Sequence, residues 1–152
     1  MSKTKIDLKE PIIWHKRLNV PYKHSVGPVG SKFLRALGEK KILAIKCSSC
    51  DRVYVPPQSI CPACFTPLNN LIELNGEGTL VTYTVIRYPS SAQPVSPPFA
   101  VGIIKLDGAD TGLVHLLGDV DFEKINIGMR LKPVFKEKPE GNILDIRHFK
   151  PI

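Results

Sequence analysis

Four cysteines are the residues of this sequence best suited to chemistry. They form two Cys-x-x-Cys pairs, Cys47 with Cys50 and Cys61 with Cys64, separated by ten residues. Two such pairs let four thiolates converge on one tetrahedral metal ion, because each pair offers its sulfurs from a tight turn. The sequence therefore predicts one structural Zn²⁺ ion with four protein ligands and no open position for a substrate.

Two other interpretations of the cysteines stay open. Two disulfides would use the same residues, but the N-terminus carries charges where a signal peptide is apolar, so we expect a cytoplasmic protein with reduced thiols. An iron site of the rubredoxin type has the same four-sulfur geometry and would make the protein an electron carrier. We expect zinc, with the metal folding a segment that has too little core of its own.

Length and charge restrict the class of protein. The 152 residues suffice for one medium domain or two small ones, and no apolar run approaches the roughly 20 residues that span a bilayer. Residues 1–50 contain 11 Lys and Arg against 3 Asp and Glu, whereas residues 51–152 contain 10 against 11. The net charge of +7 is therefore an N-terminal feature, which suits RNA, an anionic cofactor or an acidic partner.

A helix is expected before the first cysteine pair. Ser31 is the predicted N-cap of a helix that continues to about Leu37 and ends at Gly38. Lys32 and Arg35 share one side of this helix and form a basic face. Between the cysteine pairs, a short hairpin is predicted over residues 52–55 and 58–60, around two prolines.

From residue 71 onward the sequence predicts strands. The predicted strands are Leu80–Tyr88, Phe99–Leu106, Gly112–Leu117, Met129–Lys136 and Ile143–Phe149. Glycines beside the first strand favour a bend there, and a turn or short helix over residues 119–128 interrupts the series before the fourth strand. Five strands in this arrangement are typical of an OB-fold barrel.

The predicted fold class is therefore mainly β. An N-terminal helical segment would be followed by a rubredoxin-like zinc ribbon and a five-stranded OB-fold barrel. The corresponding segments are 1–41 for the basic arm and helix, 42–70 for the zinc ribbon and 71–152 for the OB-fold domain.

Catalytic motifs are absent from the sequence. All four cysteines are assigned to the metal, and no G-x-S-x-G, H-E-x-x-H or phosphate-binding loop occurs. His115 and His148 lie in predicted strands, where a partly buried structural role is more common than a role as a base. We therefore expect a protein that is not an enzyme.

Binding of single-stranded nucleic acid is the alternative function that an OB fold suggests. Such proteins combine a positive groove with aromatic side chains on which bases stack. The second and third predicted strands offer Phe99, Lys105 and His115 but no alternation of aromatic and basic residues. Residues 71–152 contain 9 basic and 10 acidic residues, which argues against a polyanion as partner.

The ordered motifs resemble a known family. They are the helix segment SKFLRAL, the ribbon KCSSC…VPPQSICPAC and the strands LNGEGTLVTYTVI, PPFAVGIIKLDG and NIGMRLKPVF, within residues 28–150. They are similar to archaeal and bacterial proteins with a rubredoxin-like zinc ribbon and an OB fold, long classed as a domain of unknown function. One departure is Asp51, where the family usually has Gly; Asp tolerates a left-handed backbone better than most residues.

The resemblance implies a non-catalytic partner of thiolase-fold enzymes. Family members accompany a thiolase and, in archaea, hydroxymethylglutaryl-CoA synthase, in isoprenoid or other acyl-CoA metabolism. It implies an accessory or scaffold subunit that holds these enzymes and contributes to acyl-CoA binding. For the CoA site we expect Lys32, Arg35 and Arg87 to contact phosphates and Phe99 to pack against the pantetheine or adenine part of the ligand.

Overall fold

The computed structural model describes Trp14 and residues 22–91, 93 and 95–152. The elements are α1 (Gly27–Gly38), β1 (Ile42–Lys46), β2 (Val53–Tyr54), β3 (Asn70–Leu74), β4 (Gly78–Ile86), β5 (Phe99–Leu106), β6 (Gly112–Leu117), β7 (Arg130–Phe135) and β8 (Ile146–Pro151). Short 3-10 turns at Phe122–Lys124 and Ile143–Asp145 precede β7 and β8. Most of the predicted basic arm, residues 1–13 and 15–21, lies outside the described residues.

Helix α1 begins one turn earlier than the sequence predicted. Proline in the first helical turn provides the start, since its fixed φ suits that turn and its missing N–H has no helical partner there. The prediction of Ser31 as N-cap is wrong: its hydroxyl donates to the Gly27 carbonyl at 2.7 Å, inside the helix. The predicted end at Gly38 is confirmed, and Lys40 takes the left-handed conformation that follows, with φ 61°.

Strands β2, β1 and β3 form a three-stranded antiparallel sheet in that order. The hairpin predicted between the cysteine pairs is wrong. Val53 instead pairs with Lys46, and Ile60 forms a bridge with Pro67, so that each pairing closes a loop around one Cys-x-x-Cys pair. The local turns at the cysteines determine these pairings, because each turn returns the chain beside the residues that entered it.

The remaining strands form the closed barrel β4-β5-β6-β8-β7 that the OB-fold prediction requires. Strands β5 and β6 have the predicted bounds, whereas β4 begins and ends two residues earlier than expected. The bend in β4 is a register shift between Leu80 and Thr82. A glycine is required at the start of β4, because a Cβ on Gly78 would lie 2.5 Å from the Lys105 carbonyl oxygen.

The last strand starts later than the sequence predicted. A 3-10 turn occupies Ile143–Asp145, so β8 begins only at Ile146. The Asn142 side chain caps that turn by accepting from the Leu144 N–H at 2.8 Å, which commits these residues to a turn. Strands β1 and β3 were not predicted. Strand β3 pairs with β1 across five residue pairs, although four of its five residues belong to the segment 71–152 that was assigned to the OB-fold domain. The division into segments 42–70 and 71–152 stays a prediction.

One hydrophobic core connects the helix, the three-stranded sheet and the barrel. Phe33 and Leu37 of α1 and Ile42 of β1 belong to the same buried cluster as Leu80 and Phe149 of the barrel. A second, smaller cluster surrounds the cysteines. No helix in the described part of the chain has the length and apolar composition needed to cross a membrane.

Candidate metal centre and ligand cavities

The four cysteine sulfurs lie together, as predicted. All four Sγ atoms are within 4.8 Å of one another, and none is in a disulfide. Cys47 Sγ is 3.5 Å from Cys64 Sγ, and Cys50 Sγ is 3.6 Å from Cys61 Sγ. A tetrahedral ion with metal–sulfur bonds of about 2.3 Å places its sulfurs roughly 3.8 Å apart, so these residues fit one such ion.

The two Cys-x-x-Cys turns have the same backbone hydrogen bonds. In the first, the Asp51 N–H donates to the Cys47 carbonyl at 3.0 Å; in the second, the Phe65 N–H donates to the Cys61 carbonyl at 2.9 Å. Asp51 and Phe65 both have φ of 59°. The left-handed conformation predicted for Asp51 is thus confirmed, and Phe65 adopts it as well at a higher steric cost.

Hydrogen bonds favour a thiolate at Cys61. Burial would raise the pKa of its thiol, but the Tyr54 hydroxyl and the Cys64 and Ala63 N–H groups lower that pKa to about 6. The Tyr54 oxygen lies 3.2 Å from Cys61 Sγ, and the same contact raises the pKa of Tyr54 to about 12. A sulfur that is held as a thiolate and accepts hydrogen bonds is suited to ligate a metal cation.

The arrangement of this centre is that of a closed structural site. Cys47 and Cys61 are buried, Cys50 and Cys64 are half-buried, and no other His, Cys, Asp or Glu of the described residues joins them. Four thiolates complete a tetrahedral coordination and leave no position at which a substrate could bind.

The residues predicted to bind CoA lie in separate places. Lys32 and Arg35 line one cavity between α1 and the three-stranded sheet, which we call the helix cavity. Glu39 and Glu73 also line it, so its positive charge is partly balanced. Arg87 lies elsewhere, 3.7 Å from a carboxylate oxygen of Glu123.

Phe99 lines a different cavity of about 410 Å³, which we call the seam cavity. The sequence analysis missed the basic residues that share it, Lys136, Arg147 and His148. These residues come from separate segments of the chain, and no spacing pattern links them to Phe99.

An uncharged aliphatic surface covers the outside of β5 and β6. Val101 pairs with Leu116 and Ile103 pairs with Val114 across the two strands, and all four face away from the barrel interior; we call them the aliphatic face. Val114 is 59% exposed. Lys105 is the one charged residue that these two strands place on the same side.

Family models match most of the described chain. Residues 35–68 match the rubredoxin-like zinc ribbon domain of ChsH2, and residues 71–136 match its C-terminal OB-fold domain. A DUF35 domain-containing scaffold protein of Methanocaldococcus jannaschii is 28% identical over 73% of this chain and 82% of the relative. One of Methanothermobacter thermautotrophicus is 31% identical over 62% of this chain and 71% of the relative.

Solved structures share the fold. The Ltp2-ChsH2(DUF35) aldolase superposes with a TM-score of 0.67 at 22% identity, over 85% of this chain and 98% of the matched chain. A DUF35-family protein of unknown function from Sulfolobus solfataricus superposes with a TM-score of 0.64 at 26% identity, over 83% and 87% of the two chains.

Proposed function

Because this chain belongs to the DUF35 family of zinc-ribbon and OB-fold scaffold proteins, we propose that it is a non-catalytic accessory subunit of a thiolase-fold enzyme. The partner would be a thiolase or a hydroxymethylglutaryl-CoA synthase, and the subunit would contribute to acyl-CoA binding in lipid or isoprenoid metabolism. Relatives named as scaffold proteins support the accessory role. A structure that pairs Ltp2 with a DUF35 component supports an enzyme as the partner.

The aliphatic face is the observation that carries this proposal. Four aliphatic side chains in register present a continuous apolar surface, and such surfaces on a folded chain mark contacts with other proteins. Strand β4 extends this surface with neutral residues, since Thr82 pairs with Ile103 and Thr84 pairs with Val101. A protein surface with complementary apolar side chains fits it better than a charged ligand.

The same face argues against single-stranded nucleic acid as the partner. OB folds that bind oligonucleotides use the strands equivalent to β5 and β6, and they place aromatic and cationic residues there. Here the corresponding positions hold Val101, Ile103, Val114 and Leu116, with Lys105 at the edge. On this side of β5 and β6 the one aromatic side chain, Phe99, is buried and unsuited to base stacking, and Lys105 is the one cation for a phosphate.

We further propose that the metal is Zn²⁺ and that the protein works in the cytoplasm. Four clustered thiols that can share one ion fit a reducing compartment, in which thiolates ligate metals rather than form disulfides. Metal analysis of the purified protein tests the metal identity: one zinc per chain in a colourless protein supports zinc, and a coloured protein with iron contradicts it.

For acyl-CoA, we propose that Lys32 and Arg35 contact phosphates at the helix cavity. Both side chains are exposed, and they are one turn apart on α1. Glu39 and Glu73 reduce the local positive charge, so we expect CoA to bind when the partner enzyme supplies the rest of the site. The double change Lys32→Glu and Arg35→Glu should weaken acyl-CoA binding to the complex, and unchanged affinity would remove both residues from the site.

Affinity capture with the full chain tests the partner. The wild-type protein should retain a thiolase or a hydroxymethylglutaryl-CoA synthase from a nuclease-treated lysate of the source organism, identified by mass spectrometry. Val114→Glu should lose that enzyme, because a carboxylate in the aliphatic face would be desolvated on docking. Ile127→Glu is the matched control, since Ile127 is 68% exposed and lies outside the aliphatic face.

Three outcomes would contradict the proposal. If no enzyme of the thiolase fold is captured, the proposed partner is wrong. If wild type and Val114→Glu capture the enzyme equally, the aliphatic face is not its docking site. Loss of every captured protein after nuclease treatment would favour nucleic acid as the ligand instead.

A further inference from the structure

Strands β6 and β8 close the barrel, but their backbones are paired at only one position. The two strands are parallel and share a single pair, Leu117 with Phe149. The Gly118 N–H donates to the Phe149 carbonyl at 2.9 Å, and before this point the strands are not paired. This unpaired stretch of the barrel wall contains Leu116, Arg147 and His148, and the seam cavity lies over it.

His115 is a buried residue of β6 next to Leu116 in this part of the wall. Its ring packs edge-on against Phe149, with the ring centroids 5.7 Å apart. The Leu116 N–H donates to His115 Nδ1 at 2.9 Å, so Nε2 carries the proton and donates to the Ile143 carbonyl at 3.1 Å. The imidazole thus accepts from a backbone N–H of β6 and donates to a carbonyl of the 3-10 turn before β8, and it connects these two segments.

The seam cavity has an apolar wall and a basic rim. Phe99, Leu116 and Leu144 provide the apolar surface, and Lys136, Arg147 and His148 provide the basic groups. Its volume of about 410 Å³ lies within the range of cavities that hold small molecules. A site of this composition can receive an apolar chain and an anionic group together.

Two of the basic groups form no ion pair within the described part of the chain: the Lys136 amine and the Arg147 guanidinium make no hydrogen bond or salt bridge there. Lys136 acts on Asp145 only through its charge, which lowers the pKa of that carboxyl group. Asp145 is buried near Lys136, but its carboxylate already accepts N–H groups from Glu140, Gly141 and Asn142 at 2.6 to 2.9 Å. Asp119 lies 3.1 Å from His148 Nε2 and is thereby engaged.

The geometry points to a binding site for an amphipathic anion in the seam cavity, with an aliphatic chain against Phe99, Leu116 and Leu144. The anionic head contacts Arg147 and Lys136, which offer charge-assisted hydrogen bonds without giving up an internal partner. A fatty carboxylate and an alkyl phosphate share this chemistry. The site is separate from the helix cavity. It shares Leu116 with the aliphatic face, whereas Arg147 and Lys136 lie outside that face.

Binding of octanoate and octyl phosphate to the full metal-loaded chain, measured by isothermal titration calorimetry, tests this site. We expect sub-millimolar affinity for at least one of them. The tighter of the two identifies the preferred head group. Acetate lacks the chain and 1-octanol lacks the charge, so both should bind at least tenfold more weakly.

Substitutions locate the site. Arg147→Gln and Lys136→Gln should each weaken binding about tenfold through loss of a charge-assisted contact. Leu144→Ala should weaken binding because it removes apolar contacts with the aliphatic chain of the ligand. Leu144 is partly exposed, so this change is compatible with folding. Lys132→Gln is the matched control, because Lys132 is an exposed cation of β7 that lines neither the seam cavity nor the helix cavity, and it should leave binding unchanged.

Several results would overturn the inference. They are the absence of binding by both probes at millimolar concentration, equal affinity for 1-octanol and octanoate, or equal affinity of wild type and both glutamine variants. Enzyme capture tests the proposed function separately. Arg147→Gln and Lys136→Gln should still capture the enzyme partner, because neither residue belongs to the aliphatic face. Loss of probe binding in these variants therefore concerns the seam cavity alone.

Discussion

Val53 in the three-stranded sheet and Asp110 in the barrel bind each other through two hydrogen bonds. The Asp110 N–H donates to the Val53 carbonyl, and the Val53 N–H donates to Asp110 Oδ2, each at 2.8 Å. The next residue, Thr111, binds Val55 in the same way: its Oγ1 accepts from the Val55 N–H at 2.8 Å and donates to the Val55 carbonyl at 2.9 Å. These four bonds attach the strand beside the metal centre to the turn between β5 and β6.

The first prediction concerns this attachment. Asp110→Ala should lower the free energy of unfolding by about 1–2 kcal/mol, because the Val53 N–H loses its charged acceptor. Thermal or denaturant unfolding of the metal-loaded protein measures the change. Asp110→Asn keeps a side-chain oxygen and should lower the free energy of unfolding by less than Asp110→Ala. An equal decrease in both variants would show that the side-chain oxygen that accepts from the Val53 N–H does not contribute to stability.

The second prediction concerns metal removal. A chelator, or Cys61→Ser, should lower the unfolding temperature of the whole chain, because the cysteines are the centre of a small core that has few other contacts. The attachment through Val53 and Asp110 should transmit this loss to the barrel. Circular dichroism and metal analysis of the same samples provide the measurement; an unchanged melting temperature after complete metal loss would contradict it.

The third prediction concerns the left-handed residue after each cysteine pair. Phe65→Gly should raise the free energy of unfolding by up to about 1 kcal/mol, since Gly adopts positive φ without the clash of a Cβ. Phe65 is 78% exposed and therefore loses little buried surface. Asp51→Gly is the comparison and should raise the free energy of unfolding by less than Phe65→Gly. Asp tolerates this conformation better than Phe, and the change also removes the contact of 3.0 Å between Asp51 Oδ1 and Lys46 Nζ. A net loss of stability in Phe65→Gly would contradict the steric explanation.

The fourth prediction concerns pH. Burial lowers the pKa of His115, although the hydrogen bond to the Ile143 carbonyl opposes this, so the folded chain keeps this imidazole neutral. The unfolded chain takes up a proton near pH 6.5 and thus binds more protons than the folded chain below that pH. Stability should therefore fall as the pH drops from about 6.5 towards the lowered pKa.

His115→Gln removes this contribution and should flatten the dependence of stability on pH between about 5 and 7. Denaturant unfolding at several pH values measures the slope. His24→Gln is the control, because His24 is exposed. An unchanged slope in His115→Gln would show that another group causes the acid sensitivity.

Local features were predictable because they depend on residues close in the chain. The metal ligands follow from the Cys-x-x-Cys spacing, which brings two sulfurs together within a single turn. Strands β5 and β6 follow from mainly apolar runs between turns, each with a single polar residue, Lys105 or His115. The start of α1 was missed because Ser31 fits an N-cap in isolation, while Pro28 one turn earlier starts the helix.

By itself, the sequence determined the mainly β class, the five-stranded barrel and the four cysteines that cluster. Only the tertiary structure decided that β3 joins the sheet of β1, that Asp110 holds Val53, and that Phe99 shares a cavity with Arg147 rather than with Lys32. Those relationships join residues far apart in the chain. They exist because one buried core holds the helix, sheet and barrel together, and no local spacing encodes them.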